Sequence, residues 1–447
     1  MKLGFIAMSG VRAENAELVA AGLTMPGVVE RSKVVASLPS LSLLTLAGMT
    51  PDEFDVSYHE VADLAAAGDL SMDFDVVAIS SLTAQIDEAY AIADRYRAAG
   101  VRVVMGGLHV SALPDEALAH CDAIVIGEGE MSWPRLLEDL RSGRLARVYR
   151  PADGAYFQLA DAPMPRFDLL EPARYNRVTI QTSRGCPHRC DFCASSILLT
   201  PFYRVKPVER VIAEARRVKE LFERPFFEFA DDNSFAAREH YKELLRALKK
   251  EHVKWFTEAD ISIANDFELL ELMRESGCRQ VLIGLESPAA SALDGVELKR
   301  NWKLRQAPDY EGAIRRIQSR GITVNGCFIL GMDAQTPAVF DEVYDFVERS
   351  GLYETQVTVM TPFPGTPLYE RLRSEGRLLE ERAWRKCTLF DVNFRPLRMS
   401  VSELESGFLN LVRRLYDPEV VDARRRRFIE MCHSDEDWSE ALRRDAV

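Results

Sequence analysis

Short apolar runs alternate with amphipathic stretches along most of this chain. Up to about residue 145, Lys2–Met8, Phe54–Tyr58, Asp75–Ser80, Val101–Met105 and Ala123–Ile126 read as strands. Each is brief, rich in Val and Ile, and bounded by Gly, Ser or Asp. Between them lie stretches such as Ala84–Ala99, with the apolar spacing of a helix. Unbroken apolar strands alternating with helices predict a parallel sheet covered on both faces. The first 148 residues are therefore expected to form a doubly wound, Rossmann-like domain of the flavodoxin-like kind.

Pro151, Pro163, Pro165 and Pro172 follow, and proline fixes φ and removes a donor. Residues 149–175 are read as an extended linker. The alternation then resumes, with strands expected at Val178–Thr182, Phe226–Phe229, Lys254–Thr257, Gln280–Ile283, Thr323–Leu330 and Glu354–Met360. Helical patterns separate them, for example Val208–Phe222, Arg238–Lys250 and Pro337–Arg349. Six such units over 176–365 suit a partial (β/α)6 barrel of TIM type, whose function gathers at the carboxyl ends of the strands. Residues 366–447 read as a mainly helical, partly irregular segment. There Trp384, Phe390, Asp391 and Phe394 fit core better than a pocket wall.

Composition narrows the class. The chain has 447 residues and a formal net charge of -13, which gives it no global reason to bind nucleic acid or an anionic membrane. Arg424, Arg425, Arg426 and Arg427 are a local exception, read as a solvated helix face. No stretch approaches the ~18 consecutive apolar residues of a membrane span. The start, MKLGFIAMSG, turns polar too early for a signal peptide. A cytoplasmic, reducing setting is expected, where clustered cysteines bind metal or react more often than they pair. Of eight cysteines, Cys121, Cys278, Cys327, Cys387 and Cys432 are scattered and read as small buried hydrophobes.

The other three lie in Thr182-Ser183-Arg184-Gly185-Cys186-Pro187-His188-Arg189-Cys190-Asp191-Phe192-Cys193, just after the first barrel strand. Gly185 and Pro187 keep this run from becoming helix, and a loop can curl three thiolates together. Three thiolates ligate three irons of a [4Fe–4S] cluster and leave the fourth iron open. A structural zinc needs four ligands. His188 could supply the fourth, but no second Cys/His pair follows at finger spacing.

Cys186, Cys190 and Cys193, spaced by three and two residues with aromatic Phe192 before the last, resemble the signature of the radical S-adenosylmethionine (SAM) superfamily. The resemblance implies that the open iron binds SAM and that one electron releases a 5′-deoxyadenosyl radical. That electron would come from an external donor of the flavodoxin or ferredoxin type. It also implies supporting positions by strand order. Asp231 and Asp232 end the second strand, where the family contacts the methionine amino group. Glu258 ends the third and Glu286 the fourth, as candidates for ribose hydroxyls. Gly326 to Gly331 covers the fifth, where the family's backbone meets adenine.

A second resemblance rests on Asp75-Val76-Val77-Ala78-Ile79-Ser80-Ser81, Gly106-Gly107-Leu108-His109, Gly127-Glu128-Gly129-Glu130 and Thr361-Pro362-Phe363-Pro364-Gly365-Thr366-Pro367. This ordered set is similar to the branch of the superfamily with a cobalamin (B12)-binding domain. It implies that Gly106, Gly107 and Gly127 let backbone approach a corrin. Ser80 and Ser81 would hydrogen-bond its amides or nucleotide tail, and His109 would hydrogen-bond a corrin amide or merely terminate its strand. One departure stands: Asp-x-His-x-x-Gly, whose histidine ligates cobalt, is absent, and Ser9 to Ala16 holds no histidine.

The expected function is a cobalamin-dependent radical SAM methyltransferase acting on an unactivated carbon of a small metabolite. One rival keeps the radical but carries out rearrangement, cyclisation or dehydration, with a domain that has lost cobalamin. Another is a non-enzymatic metal-binding module.

Overall fold

The computed structural model describes residues 1–8, 13–20, 38–64, 68, 70–198 and 202–433. Of the loop Ser9 to Ala16, residues 9–12 lie outside these.

Two parallel sheets organise the chain. The first contains β1 (Lys2–Met8), β2 (Asp55–Val61), β3 (Val76–Ser80), β4 (Arg102–Gly106), β5 (Ala123–Val125) and β6 (Val148–Tyr149), ordered β2-β1-β3-β4-β5-β6. All pairings are parallel. This is the flavodoxin-type order, extended by β6, with its switch point between β1 and β3. Separate apolar clusters cover the two faces, Ile6, Ile79 and Met105 on one and Phe5, Ala78 and Val104 on the other. That is why these strands read as unbroken apolar runs.

In the second sheet, β7 (Val178–Ile180), β10 (Phe226–Ser234), β11 (Lys254–Ala259), β12 (Cys278–Glu286), β13 (Thr323–Leu330) and β14 (Glu354–Val359) pair in sequence order, all parallel. β7 and β14 form the two edges, so the barrel is open. Outward residues such as Phe227, Phe229, Trp255, Val281 and Val324 build one large core with the surrounding helices. A short antiparallel ribbon, β8 (Ser183–Arg184) with β9 (Arg204–Val205), was not foreseen from the sequence.

Residues 150–175 form irregular backbone with three single 3₁₀ turns. After the barrel come helices Pro367–Ser374, Val401–Leu415 and Pro418–His433 around an irregular stretch. Trp384, Phe390, Asp391 and Phe394 are all buried, as core. Trp384 joins the first sheet's cluster, so this segment welds onto both units. The arginine run needs a correction. Arg424 is buried and donates to the Leu415 carbonyl at 2.7 Å, and Arg427 pairs with Glu348, also at 2.7 Å. Only Arg425 and Arg426 form the expected solvated face. No described helix is long and apolar enough to cross a membrane.

Candidate active site

The cysteine loop leaves β7 through the ribbon β8–β9, which closes its base. Gly185 turns at φ +91°, a region open to glycine, and donates its N–H to Asp232 at 2.8 Å. Asp232 also accepts from Ser195. On the far side the loop is stitched to the segment after β12. Cys190 forms an antiparallel bridge with Glu297, the Asp191 N–H donates to the Val296 carbonyl at 2.9 Å, and the Leu298 N–H donates to Arg189 at 2.8 Å. The buried Glu297 carboxylate accepts the backbone N–H groups of Arg189, Lys299, Arg300 and Trp302 at 2.7–3.3 Å.

None of the eight cysteines is paired in a disulfide. Asn233 donates towards Cys186 Sγ at 3.7 Å, and the Ser196 N–H towards Cys193 Sγ at 3.5 Å. Burial pushes the Cys186 thiol up to about 11 and the Cys190 thiol higher still. A bound cation such as iron would favour the thiolate of such a thiol by replacing its proton. Donors aimed at sulfur and a buried ammonium, Lys303, acting on Cys190 fit thiolates ligating an iron–sulfur cluster. Among the described residues, no three His, Cys, Asp or Glu side chains gather as they would around a single ion. A cluster instead puts each thiolate on its own iron. His188 is engaged elsewhere: it stacks on Trp302 (centroids 4.8 Å apart), and its Nε2 lies 3.4 Å from Asp260. Burial favours the neutral form of Asp260, but hydrogen bonds from His188, Ser262 and Asn233 hold it well below the usual carboxylate range.

The acids expected at strand ends take different roles. Asp231 is buried and saturated. It accepts the N–H groups of Thr182 and Ser183, both at 2.8 Å, and the hydroxyls of Thr182, Ser234 (2.8 Å) and Tyr241 (2.9 Å). Its geometry rivets the loop's entrance to β10 and leaves no lone pair for SAM. Asp232 is only half-buried beside Cys186's turn. Phe192, between Asp191 and Cys193, packs partly buried against the barrel core. Glu286 sits at φ +64° and pairs with Lys303 at 2.6 Å, and Lys303 also donates to the Gly284 carbonyl at 2.7 Å. A Cβ on Gly284 would lie 2.4 Å from the Glu286 carboxylate, so that glycine makes room for the pair.

Glu258 is open to water although its neighbours Thr257 and Ala259 are buried. Strand alternation turns it into the hollow barrel. Protein walls it in, and burial, with Glu228, Asp232, Asp231 and Glu286 nearby, pushes its carboxyl up to about 8.

Gly331 is held by its surroundings. Its N–H is taken by Gln335 at 2.8 Å, and a Cβ would lie 2.7 Å from the Phe394 ring. Packing against Phe394 and Leu404 explains why this position is a glycine. At Gly326, likewise, a Cβ would meet Leu352 at 2.8 Å.

In the first unit, Ser80, Ser81, Gly106, Gly107 and Gly127 cluster at the carboxyl ends of β3, β4 and β5, all half-buried. Gly107 (φ +112°) lies against Ser80, where an added Cβ would sit 3.3 Å from its Oγ. Gly127 (φ +73°) donates its N–H to Ser111 at 2.9 Å. His109 is engaged on one side, and its buried Nδ1 has no hydrogen-bond partner among the described residues. It is buried, its Nε2 lies 3.2 Å from Glu116, and its ring meets Trp384 edge-on. Burial lowers its pKa, so it is a neutral core histidine despite Glu116.

The carboxyl-end loops of the two sheets meet. Arg184 pairs with Glu128 at 2.9 Å and Glu130 at 2.6 Å, and Arg204 pairs with Glu128 at 2.6 Å. Both arginines belong to the ribbon at the base of the cysteine loop. Gly365 (φ +79°) packs so closely that a Cβ would lie 2.9 Å from Leu198 and 3.2 Å from Ala112. It thus joins the helix after Cys193 to the helix after β4.

Three family models match the chain: radical SAM superfamily over 180–347, B12 binding domain over 27–137, and a domain of unknown function over 366–445. Hopanoid C-2 methylase of Rhodopseudomonas palustris is 32% identical over 364 residues, covering 78% of this chain and 67% of that protein. The chain belongs to the radical SAM superfamily, in the branch with a B12-binding domain. Another relative is bacteriochlorophyllide d C-12(1)-methyltransferase of Chlorobaculum tepidum, 29% identical, covering 85% of this chain and 83% of the other. A solved structure of the radical SAM methyltransferase TsrM from Kitasatospora setae, with cobalamin and a [4Fe–4S] cluster bound, superposes with a TM-score of 0.67. It covers 94% of this chain and 91% of that one at 16% identity, a likeness of fold.

For this radical SAM enzyme, sequence reasoning missed four residues that build the site: Glu128, Glu130, Glu297 and Lys303. The two glutamates stood inside the quoted Gly127-Glu128-Gly129-Glu130, and their signal was charge between glycines. Glu297 and Lys303 carried no local signal, because their partners are distant in sequence.

Proposed function

We propose that this chain is a cobalamin-dependent methyltransferase that uses radical SAM chemistry on an unactivated carbon of a small metabolite. One observation carries the reading: the carboxyl-end loops of the B12-type sheet are clamped by Glu128 and Glu130 to the base of the cysteine loop. Ligands held at the two sheet ends therefore share one space. Cys186, Cys190 and Cys193 would hold a [4Fe–4S] cluster with its fourth iron open to SAM, while Ser80, Ser81, Gly106, Gly107 and Gly127 would border the corrin. Bound there, the cluster with SAM supplies hydrogen-atom abstraction and cobalamin supplies a transferable methyl group. Asp232, Glu258 and the Glu286–Lys303 pair face that space, with Phe192 beside the last cysteine. Asp231 positions the loop from behind. We divide the chain into a B12-type domain (1–148), linker (149–175), barrel (176–365) and closing segment (366–447).

The test is anaerobic reconstitution with iron, sulfide and cobalamin, followed by ultraviolet–visible spectroscopy and cobalt analysis. Bound corrin and a methylated product beside 5′-deoxyadenosine are expected. SAM cleavage without bound corrin removes methyl transfer and leaves the rearranging or cyclising enzyme, the reading that the missing histidine motif favours.

A further inference from the structure

The hollow of the barrel is lined by polar side chains that the cysteine loop and the B12-type sheet leave unused. The strand neighbours Phe227, Phe229, Ala259, Val324 and Val357 are packed in the outer core. Alternation therefore turns Glu228, Glu258, Asn325 and Gln356 inward. Strand pairing puts Glu258, Leu282, Asn325 and Glu354 in one row across β11 to β14. Gly284, Cys327 and Gln356 form the next row towards the cysteine loop. The hollow is open, since Ala230 and Glu258 are exposed although the residues beside them are buried.

Most carboxylates around this hollow already have partners. Glu228 lies 3.0 Å from the Arg177 guanidinium, Glu354 accepts from Gln280 at 2.5 Å, and Glu286 pairs with Lys303. Arg177 is further occupied by the Phe256 ring, 5.2 Å away. Glu258 has no such partner: the groups that act on its carboxyl, Glu228, Asp232, Asp231 and Glu286, are acids. Two amides on the same rows are idle as well. Asn325 Oδ1 is fully buried and has no hydrogen-bond partner among the described residues. Gln356 is only 7% exposed, and its side-chain oxygen meets the Cys327 thiol at a distant 4.0 Å. Buried polar groups are normally paired, so idle ones facing an open hollow mark a place for a guest.

We propose that the hollow binds the substrate by a protonated amine, held by the Glu258 carboxylate and the amide oxygens of Asn325 and Gln356. The inference rests on the methyltransferase reading above and names its substrate class, a small cationic amine. An ammonium group carries three donors and no acceptor, and these side chains offer it three oxygens, one of them charged. Leu282 and Gly284, which stand between them on β12, add no competing side-chain donor. The surrounding acids repel a carboxylate or phosphate, and a wholly apolar substrate would leave all three groups dry and unpaired. An amine held on these rows leaves the rest of the molecule to extend towards the cysteine loop, where the hydrogen atom would be taken.

The probes are hexylammonium, hexanol and hexanoate, titrated into the reconstituted full chain at neutral pH and followed by ligand-observed NMR. Hexylammonium should bind about tenfold or more tighter than hexanol, and hexanoate should not bind. E258Q should weaken hexylammonium about tenfold or more and leave hexanol within about twofold. Q356M should weaken it about threefold, and it carries the test if E258Q fails to fold. SAM added beforehand, with the cluster oxidised, should leave hexylammonium affinity unchanged. The proposal is overturned if hexanol or hexanoate binds as tightly as hexylammonium, or if either folded variant binds hexylammonium like the parent. It is equally overturned if SAM displaces the amine, because the three oxygens then serve the cofactor. If the parent cleaves no SAM with dithionite while the amine selectivity stands, the methyltransferase reading fails and the amine site survives. If SAM is cleaved and corrin bound with no preference for the amine, that reading stands and this inference fails.

Discussion

Asp231 separates a positioning role from a ligand-binding one, and its contacts set the size of the effect. One carboxylate oxygen accepts two backbone N–H groups, from Thr182 and Ser183, and the other accepts three hydroxyls. Asp231→Ala strands both N–H groups in a buried position. Each buried orphan costs about 1–3 kcal/mol, and the hydroxyls lose charge-assisted bonds but can turn to one another. A loss of about 3–5 kcal/mol is expected from these terms. Asp231→Asn keeps a carbonyl oxygen for the N–H pair, and its amide can donate to hydroxyls that rotate to accept. Ser234 already exchanges with Thr257 at 2.7 Å and Tyr241 with Tyr203 at 3.3 Å, so these partners have alternatives. The asparagine variant should therefore lose only about 1–2 kcal/mol. Urea unfolding followed by tryptophan fluorescence reads this directly, because Trp255 stacks on Phe229 two residues before Asp231. Iron content after reconstitution should fall in the same order, alanine below asparagine below parent. Unchanged stability in Asp231→Ala, together with a raised KM for SAM, would refute the positioning argument and restore a direct contact with the methionine moiety.

Other expectations follow from the same geometry. Glu258 holds its proton more tightly folded than unfolded, so its favourable contribution is full below pH 4.5 and is lost as pH rises through about 8. Glu258→Gln should flatten the decline in barrel stability across that window, measured by urea midpoints at pH 5, 6.5 and 8; an unchanged slope assigns the decline elsewhere. Glu128→Ala leaves Arg184 and Arg204 without their shared carboxylate and frees the Phe157 N–H, which donates to Glu128 at 2.8 Å. About 3–5 kcal/mol should be lost, seen as faster hydrogen exchange at Ser183–Arg184 and Arg204–Val205. Gly365→Ala forces a side chain into left-handed backbone at a cost of about 1–2 kcal/mol, before its contact with Leu198 is counted. Its melting temperature should drop, whereas Gly154→Ala, left-handed but open around its Cβ position, isolates the backbone part alone.

The strands were legible because burial on both faces writes an unbroken apolar run. β1 and β13 fall on the expected residues, and the helix expected over Arg238–Lys250 runs Arg238–Leu248. Motif spacing carried the cysteine loop for a similar reason, since a loop that ligates a cluster is local in sequence. What escaped is non-local. β8 and β9 are two residues each and gain their pairing only from the loop between them. Asp231 and Asp232 are adjacent acids at one strand end, yet one faces inward to five donors and the other faces the turn at Gly185. No pattern of residue types distinguishes them, because a strand sends neighbours to opposite sides and only the fold decides which side holds the donors. The surroundings of Gly331 and His109 are non-local in the same way, a glycine packed against an aromatic ring and a histidine against a tryptophan, both rings lying in the closing segment more than 60 positions away. Residues that meet a ligand and residues that meet the back of the loop share composition at a strand end. Stability separates them: removing a packing residue costs folding energy before any ligand is added, and removing a ligand contact does not.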